Sequence, residues 1–135
     1  MSIFLDTNVL ASAIATRGLC TELVEGIITN HELFICEQVL RELQRVLHQK
    51  FHLPRPVIQQ YLGLLRAEGD VVAAPRTMPR LRIKDPDDVP ILACAIAAKV
   101  DVFVTGAKAL LNTDELGGMP ILTPRELWQK LTGLG

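Results

Sequence analysis

A chain of 135 residues with 14 basic and 15 acidic side chains carries a formal net charge of −1, which excludes capture of nucleic acid by overall charge and leaves that task to a local patch. A composition that is 49% hydrophobic and 21% charged excludes a disordered chain and suffices to fill a core without disulfides. Cys20, Cys36 and Cys94, odd in number and far apart, read as buried thiols in a reducing compartment.

The apolar run Ile3, Phe4 and Leu5 has strand length and stops at Asp6, Thr7 and Asn8. Such continuous apolarity predicts a strand buried on both faces, as in parallel sheets, with Asp6 at its carboxyl end. Val9, Leu10, Ala13 and Ile14 then recur at helical spacing, and after Thr16, Arg17 and Gly18 the pattern resumes at Leu19, Leu23, Val24, Ile27 and Ile28. Leu33, Phe34 and Ile35 form a second strand. From Glu37 to Gln49, Val39, Leu40, Leu43, Val46 and Leu47 make a helical stripe with Glu42 along its edge and Arg41, Gln44 and Arg45 on the wetter side. Pro54 and Pro56 open the next helix, whose apolar face is Val57, Ile58, Tyr61, Leu62 and Leu65.

Val71, Val72 and Ala73 give a third strand, closed by Pro75. A basic stretch with Arg76, Arg80, Arg82 and Lys84 follows and turns acidic at Asp85, Asp87 and Asp88. Proline lacks an amide hydrogen, so Pro90 fits only the first turn of a helix, which must begin near Asp87 or Asp88 and carry Ile91, Leu92, Ala95 and Ile96. Val102, Phe103 and Val104 form a fourth strand that ends at Thr105 and Gly106, with a short helix expected from Ala107 to Leu111. Gly117 and Gly118 turn the chain into a fifth strand, Ile121 and Leu122. Thr123, Pro124 and Glu126 then spell a capped helix start, and the last helix carries Leu127, Trp128 and Leu131. Strands alternating with helices predict an α/β protein, a three-layer α/β/α sandwich on a five-stranded parallel sheet, forming one domain over residues 1–135. No apolar run reaches membrane-spanning length and the first residues lack a signal-peptide pattern, so the expectation is a cytoplasmic protein with no membrane contact.

Taken singly, each acid has an ordinary explanation: Asp6 caps a helix, Glu42 is a rim charge, and Asp85 to Asp88 complement a helix dipole. Together they say more. The predicted fold sends the carboxyl end of strand one and the start of the Asp88 helix to one edge of the sheet. Clustered carboxylates repel and raise one another's pKa unless a cation neutralises them. Oxygen ligands without nearby thiol or imidazole suit Mg²⁺ or Mn²⁺. His48 and His52 have the four-residue spacing of a helical metal pair but lack the accompanying glutamate, and Gly117 and Gly118 lack the lysine of a phosphate loop, so both read as structural.

The stretches FLDTNVL, DPDDVPILACAIA, VFVTGAKALL and PILTPREL, with Glu42 between the first two, resemble the PIN-domain ribonucleases over nearly the whole chain, and among them the VapC-like toxins of toxin-antitoxin pairs. The resemblance implies a metal-dependent nuclease site built from Asp6, Glu42 and Asp88, with Asn8 supporting the first acid and Thr105 beside the site. It implies hydrolysis of RNA phosphodiester bonds with Mg²⁺ or Mn²⁺, inhibition by a cognate antitoxin protein, and a homodimer. One residue departs from the family pattern: Ala107 stands where an aspartate commonly follows Thr-Gly, so the fourth acid is missing and Asp85 is the nearest substitute. A second expectation therefore stands beside the nuclease, a catalytically impaired scaffold that binds RNA or protein.

Overall fold

The computed structural model describes residues 1–77, 83, 85–111 and 117–133. Strand β1 (Ser2–Leu5) leads into α1 (Thr7–Ala15) and α2 (Leu19–Asn30), and β2 (Glu32–Cys36) into α3 (Glu37–Gln49) and α4 (Arg55–Glu68). After β3 (Asp70–Val72) come α5 (Asp88–Ala97), β4 (Val102–Val104), α6 (Lys108–Leu111), β5 (Ile121–Leu122) and α7 (Pro124–Thr132). The strands form the expected five-stranded parallel sheet, in the order β3-β2-β1-β4-β5.

This order has a consequence for the site. The chain steps outward from β1 to β2 to β3, then returns past β1 to lay down β4 and β5 on the other side. Right-handed crossovers put α1 to α4 over one face of the sheet and α5 with α6 over the other. The direction of winding reverses beside β1, and the crevice at such a reversal opens outside the carboxyl ends of the strands.

Strand β1 lies at the centre because its residues are apolar on both faces: Ile3, Phe4 and Leu5 are fully buried. Phe4 stacks on Phe103 of β4 with ring centroids 5.4 Å apart and planes at 14°. Helix α5 has no polar stripe because Ile91 to Ala95 are all buried. Helices α3 and α4 run antiparallel, since Arg66 near the end of α4 donates to Glu37 at the head of α3 at 2.7 and 3.0 Å. Tyr61 ties α4 to α1 by donating its hydroxyl to the Leu10 carbonyl at 2.8 Å.

The boundaries differ from the sequence expectation in two places. Strand β3 is Asp70–Val72, so Ala73 lies outside it; Val72 pairs with Cys36, the last residue of β2, and no partner remains beyond. Helix α6 starts at Lys108, with the Ala107 carbonyl accepting from the Leu110 and Leu111 amides, so Ala107 occupies the cap position. The start of α7 follows its sequence: Thr123 accepts from the Glu126 amide and Glu126 accepts from the Thr123 amide, both at 3.0 Å.

Truncating Phe4→Ala removes the ring that stacks on Phe103 and leaves a cavity between the central strands, with an expected cost of about 3–5 kcal/mol. Thr123→Ala deletes one half of the capping box, at about 1 kcal/mol. Urea titration of the two variants should rank them in that order, and equal midpoints would contradict the packing described.

Candidate functional site

The site begins with strand register. Leu5 pairs with Val104, so the residues that follow, Asp6 and Thr105, leave the two central strands side by side. The Asp6 amide donates to the Val104 carbonyl at 3.0 Å and the Thr105 amide to the Leu122 carbonyl at 3.0 Å, which fixes both backbones. Asp6 is 7% exposed and Thr105 fully buried. The Thr105 hydroxyl donates to Asp6 Oδ2 at 2.8 Å, and the Thr7 amide donates to Oδ1 at 2.8 Å as α1 begins. Burial pushes the Asp6 carboxyl above its ordinary value; the bonds from Thr105 and Thr7 oppose that rise, and the charge of Glu42 adds to it. Capping and functional positioning are therefore the same placement, not rival ones.

Glu42 comes to this edge from the second turn of α3. The Thr7 hydroxyl donates to its Oε2 at 3.0 Å, so one threonine holds Asp6 through its amide and Glu42 through its side chain. Gln38, one turn earlier, donates to Glu42 Oε1 at 3.4 Å. The sequence reading missed both Thr7 and Gln38. The signal for Gln38 was its four-residue spacing from Glu42, which brings side chains together on a helix. Thr7 could not be found this way, since its contact with Glu42 spans 35 residues.

Asp88 heads α5 from the opposite face. Its carboxyl is pushed up to about 6, first by burial, then by the negative charges of Asp6, Asp85, Glu42 and Asp87. The three predicted acids thus act on one another electrostatically. Among the described residues, no group of three Asp, Glu, His or Cys side chains is gathered closely enough to hold one metal ion. The Asp6 and Glu42 oxygens accept hydrogen bonds from Thr105, Thr7 and Gln38. A carboxylate oxygen keeps lone-pair capacity after one such bond. An all-oxygen, mutually repelling donor set of this kind fits a hard divalent ion that retains several waters.

The remaining predicted residues fall into distinct places. Asn8 accepts from the Gly106 amide at 3.4 Å, so it braces the loop after β4, while the Asp6 carboxylate is held by Thr7 and Thr105. Its position one residue further along α1 turns it toward that loop. Asp85 folds the turn before α5, accepting from the Asp87 amide at 2.9 Å through Oδ1 and from the Asp88 amide at 3.1 Å through its carbonyl. The Ala107 amide donates to Thr105 Oγ1 at 3.0 Å, which orients the hydroxyl toward Asp6. Arg76 is exposed; Arg80, Arg82 and Lys84 lie outside the described residues. The free thiols offer no nucleophile: burial pushes Cys36 up to about 12 and raises Cys20 and Cys94 as well.

Comparison with known proteins accords with this architecture. The sequence profile of the PIN domain family matches residues 2–109, and the chain belongs to that family. Among solved structures, the crystal structure of VapBC2 from Rickettsia felis bound to a DNA fragment from their promoter contains a chain with the same fold. It aligns with a TM-score of 0.68 and 18% identity, over 91% of this chain and 98% of that one. Comparison with curated proteins gives no match.

The raised carboxyl of Asp88 sets a pH dependence. A group whose pKa rises on folding stabilises the fold below its ordinary value and loses that contribution as pH rises through the folded one, here between 3.8 and about 6. Without divalent ions, Asp88→Asn should therefore match the native protein in melting temperature near about pH 4 and exceed it near about pH 7. The gain should be on the order of 1 kcal/mol after allowance for screening of a partly exposed group. A variant equally or less stable at the higher pH would show that Asp88 is not under repulsion.

Proposed function

We propose that this chain is a metal-dependent endoribonuclease and the toxin of a toxin-antitoxin pair, with Asp6, Glu42 and Asp88 as the acids that hold Mg²⁺ or Mn²⁺. The observation that carries the reading is the coupling of Asp88 to Asp6 and Glu42 at the carboxyl edge of a PIN fold. Repelling carboxylates at that edge lower the stability of the empty site, and a divalent cation removes the penalty.

The residues divide the work. Thr105 and Thr7 fix Asp6, and Thr7 with Gln38 fixes Glu42, so these two carboxylates are oriented before any ligand arrives. Asp88, its carboxyl pushed up to about 6, must be ionised to serve as a ligand, and a bound cation would favour that form. A bound cation would polarise an oxygen of the scissile phosphate and lower the pKa of a water for in-line attack. No protein nucleophile is required: the Thr105 hydroxyl is engaged with Asp6 and the Ala107 amide.

The partners follow from the same reading. The substrate is RNA, and a cognate antitoxin protein covers the acidic edge, a proposal supported by the fold shared with a chain of the VapBC2 assembly. A homodimer is expected, with Val57 and Leu64, exposed seven residues apart on α4, as the apolar surface a second copy covers. Three free cysteines support a cytoplasmic location, and among the described residues no helix is long and apolar enough to cross a membrane. One domain over residues 1–135 remains the proposed organisation.

Purified protein should cleave single-stranded RNA only when Mg²⁺ or Mn²⁺ is present, and Asp6→Asn should reduce the rate by at least about 100-fold, the scale of removing a charge-stabilising group. Metal-independent cleavage, or full activity in Asp6→Asn, would overturn the assignment. Ala107 favours a second reading, an impaired PIN scaffold that binds without turnover, because a methyl group stands where the family commonly has an acid. Ala107→Asp separates the two: a gain of about tenfold or more marks the present chain as impaired, an unchanged measurable rate means that three acids suffice, and no activity in either form means that the fold has another job.

A further inference from the structure

A cleft of about 320 Å³ lies between α3 and α4, lined by Arg41, Arg45, His48, Arg55, Gln44 and Gln59 among others and by no carboxylate. Arg66 engages the Glu37 carboxylate, whose charge Arg41 also faces from one turn along α3, and among the described residues Arg45 and Arg55 make no ion pair. We propose that this cleft seats the phosphate backbone of a single RNA strand next to the scissile bond. The inference rests on the nuclease reading and adds to it the path by which substrate reaches the acids.

The cleft and the acidic edge share one helix. Arg45 follows Glu42 by three residues, which places the two one turn apart. Gln38 joins them on the other side: its amide nitrogen donates to Glu42, and its oxygen accepts from the Arg41 guanidinium at 3.1 Å. From Arg41 to Gln49 the lining runs roughly 12 Å along the axis of α3.

The ordinary explanation covers only part of this charge. Arg45 and His48 lie in the second half of α3, where cations complement the helix dipole. Arg55 does the opposite. It is the first residue of α4, at the positive end of that dipole, with no acid in the first turn and no side-chain cap. An anion in the cleft supplies the missing counter-charge for Arg55 and for the uncapped amides beside it.

The lining also selects among anions. Its volume is at the bottom of the range for small-molecule sites, the scale of about one or two nucleotide units and not of a folded partner. Ile58 is its one apolar residue and is buried, so the cleft has no exposed pocket for the apolar anchor on which protein segments depend. Guanidinium forks and glutamine amides suit phosphate oxygens and the edges of unstacked bases.

The test uses the full chain with Asp6→Asn and Mg²⁺ present, so that the RNA stays intact, and measures fluorescence anisotropy of a labelled single-stranded oligoribonucleotide over a salt series. Adding Arg45→Gln and Arg55→Gln should weaken binding at least about tenfold and make the salt dependence shallower by about 1.4, at about 0.7 for each phosphate charge the protein no longer neutralises. Arg45→Lys with Arg55→Lys should restore the slope. Unchanged affinity and slope in the glutamine variant, or no RNA binding by the Asp6→Asn parent, would overturn the proposal. So would a poly-glutamate peptide that loses binding in the glutamine variant while RNA affinity is unchanged, which would assign the cleft to an acidic protein segment. Cleavage by the native chain is assayed separately. Native cleavage beside an unaffected glutamine variant overturns the cleft alone, and absent cleavage beside the expected fall in affinity overturns hydrolysis alone.

Discussion

The hydrogen bond from the Thr105 hydroxyl to Asp6 Oδ2, 2.8 Å long and buried, is the interaction on which the carboxyl edge of the sheet depends. A carboxylate at the end of a buried central strand is costly unless it is hydrogen-bonded. Asp6 meets that condition from two sides, through β4 by Thr105 and through its own helix by the Thr7 amide. The Thr105 donor is where it is because Leu5 and Val104 are in register, and the Thr7 donor because α1 begins there. A slip of β4 by one residue would exchange the threonine for a neighbour of different chemistry and leave the acid buried without its partner.

This arrangement fixes two acids firmly and leaves a third adaptable. Asp6 and Glu42 are held by threonine and glutamine donors, whereas among the described residues no side-chain donor to Asp88 is seen, and its carboxyl is displaced by burial and by the charges it faces. Rigid ligands preorganise a site, and a ligand under repulsion makes its occupancy favourable. The two properties are divided between opposite faces of the sheet, with Asp6 ahead of α1 and Glu42 within α3 on one side and Asp88 at the head of the helix that returns on the other. The topology that reverses at β1 brings the two faces' contributions together.

The fold was legible because its signals are local. Apolar runs of strand length, proline at helix starts and the Thr123–Glu126 box each depend on neighbours in the sequence, and the elements they predict appear where expected. The end of β3 was not legible, since it is decided by Cys36 running out as a partner. For the site, the acids were visible in the sequence and the family resemblance placed Thr105 beside them, but the hydrogen bonds that hold them were not. Thr105 and Asp6 are 99 positions apart, and Thr7 touches Glu42 across 35, so only the folded register reveals them. Asn8 illustrates the converse: the family resemblance implied support for Asp6, and in the fold its side-chain oxygen accepts from the Gly106 amide.

The near-zero net charge also hides a spatial separation. Fourteen basic and fifteen acidic residues cancel in sum, yet along α3 the two signs are set apart. Glu42 faces the acidic edge where Asp6 and Asp88 lie, while Arg41 and Arg45 face the cleft against α4. Separation on one helix follows from its period, since residues 100° apart in direction belong to different neighbours. A polyanion lying along α3 would thus meet cations that hold it before reaching carboxylates that, without a metal, repel it. On the proposed function, a divalent ion at the acidic edge would reverse the local sign and let a phosphate approach.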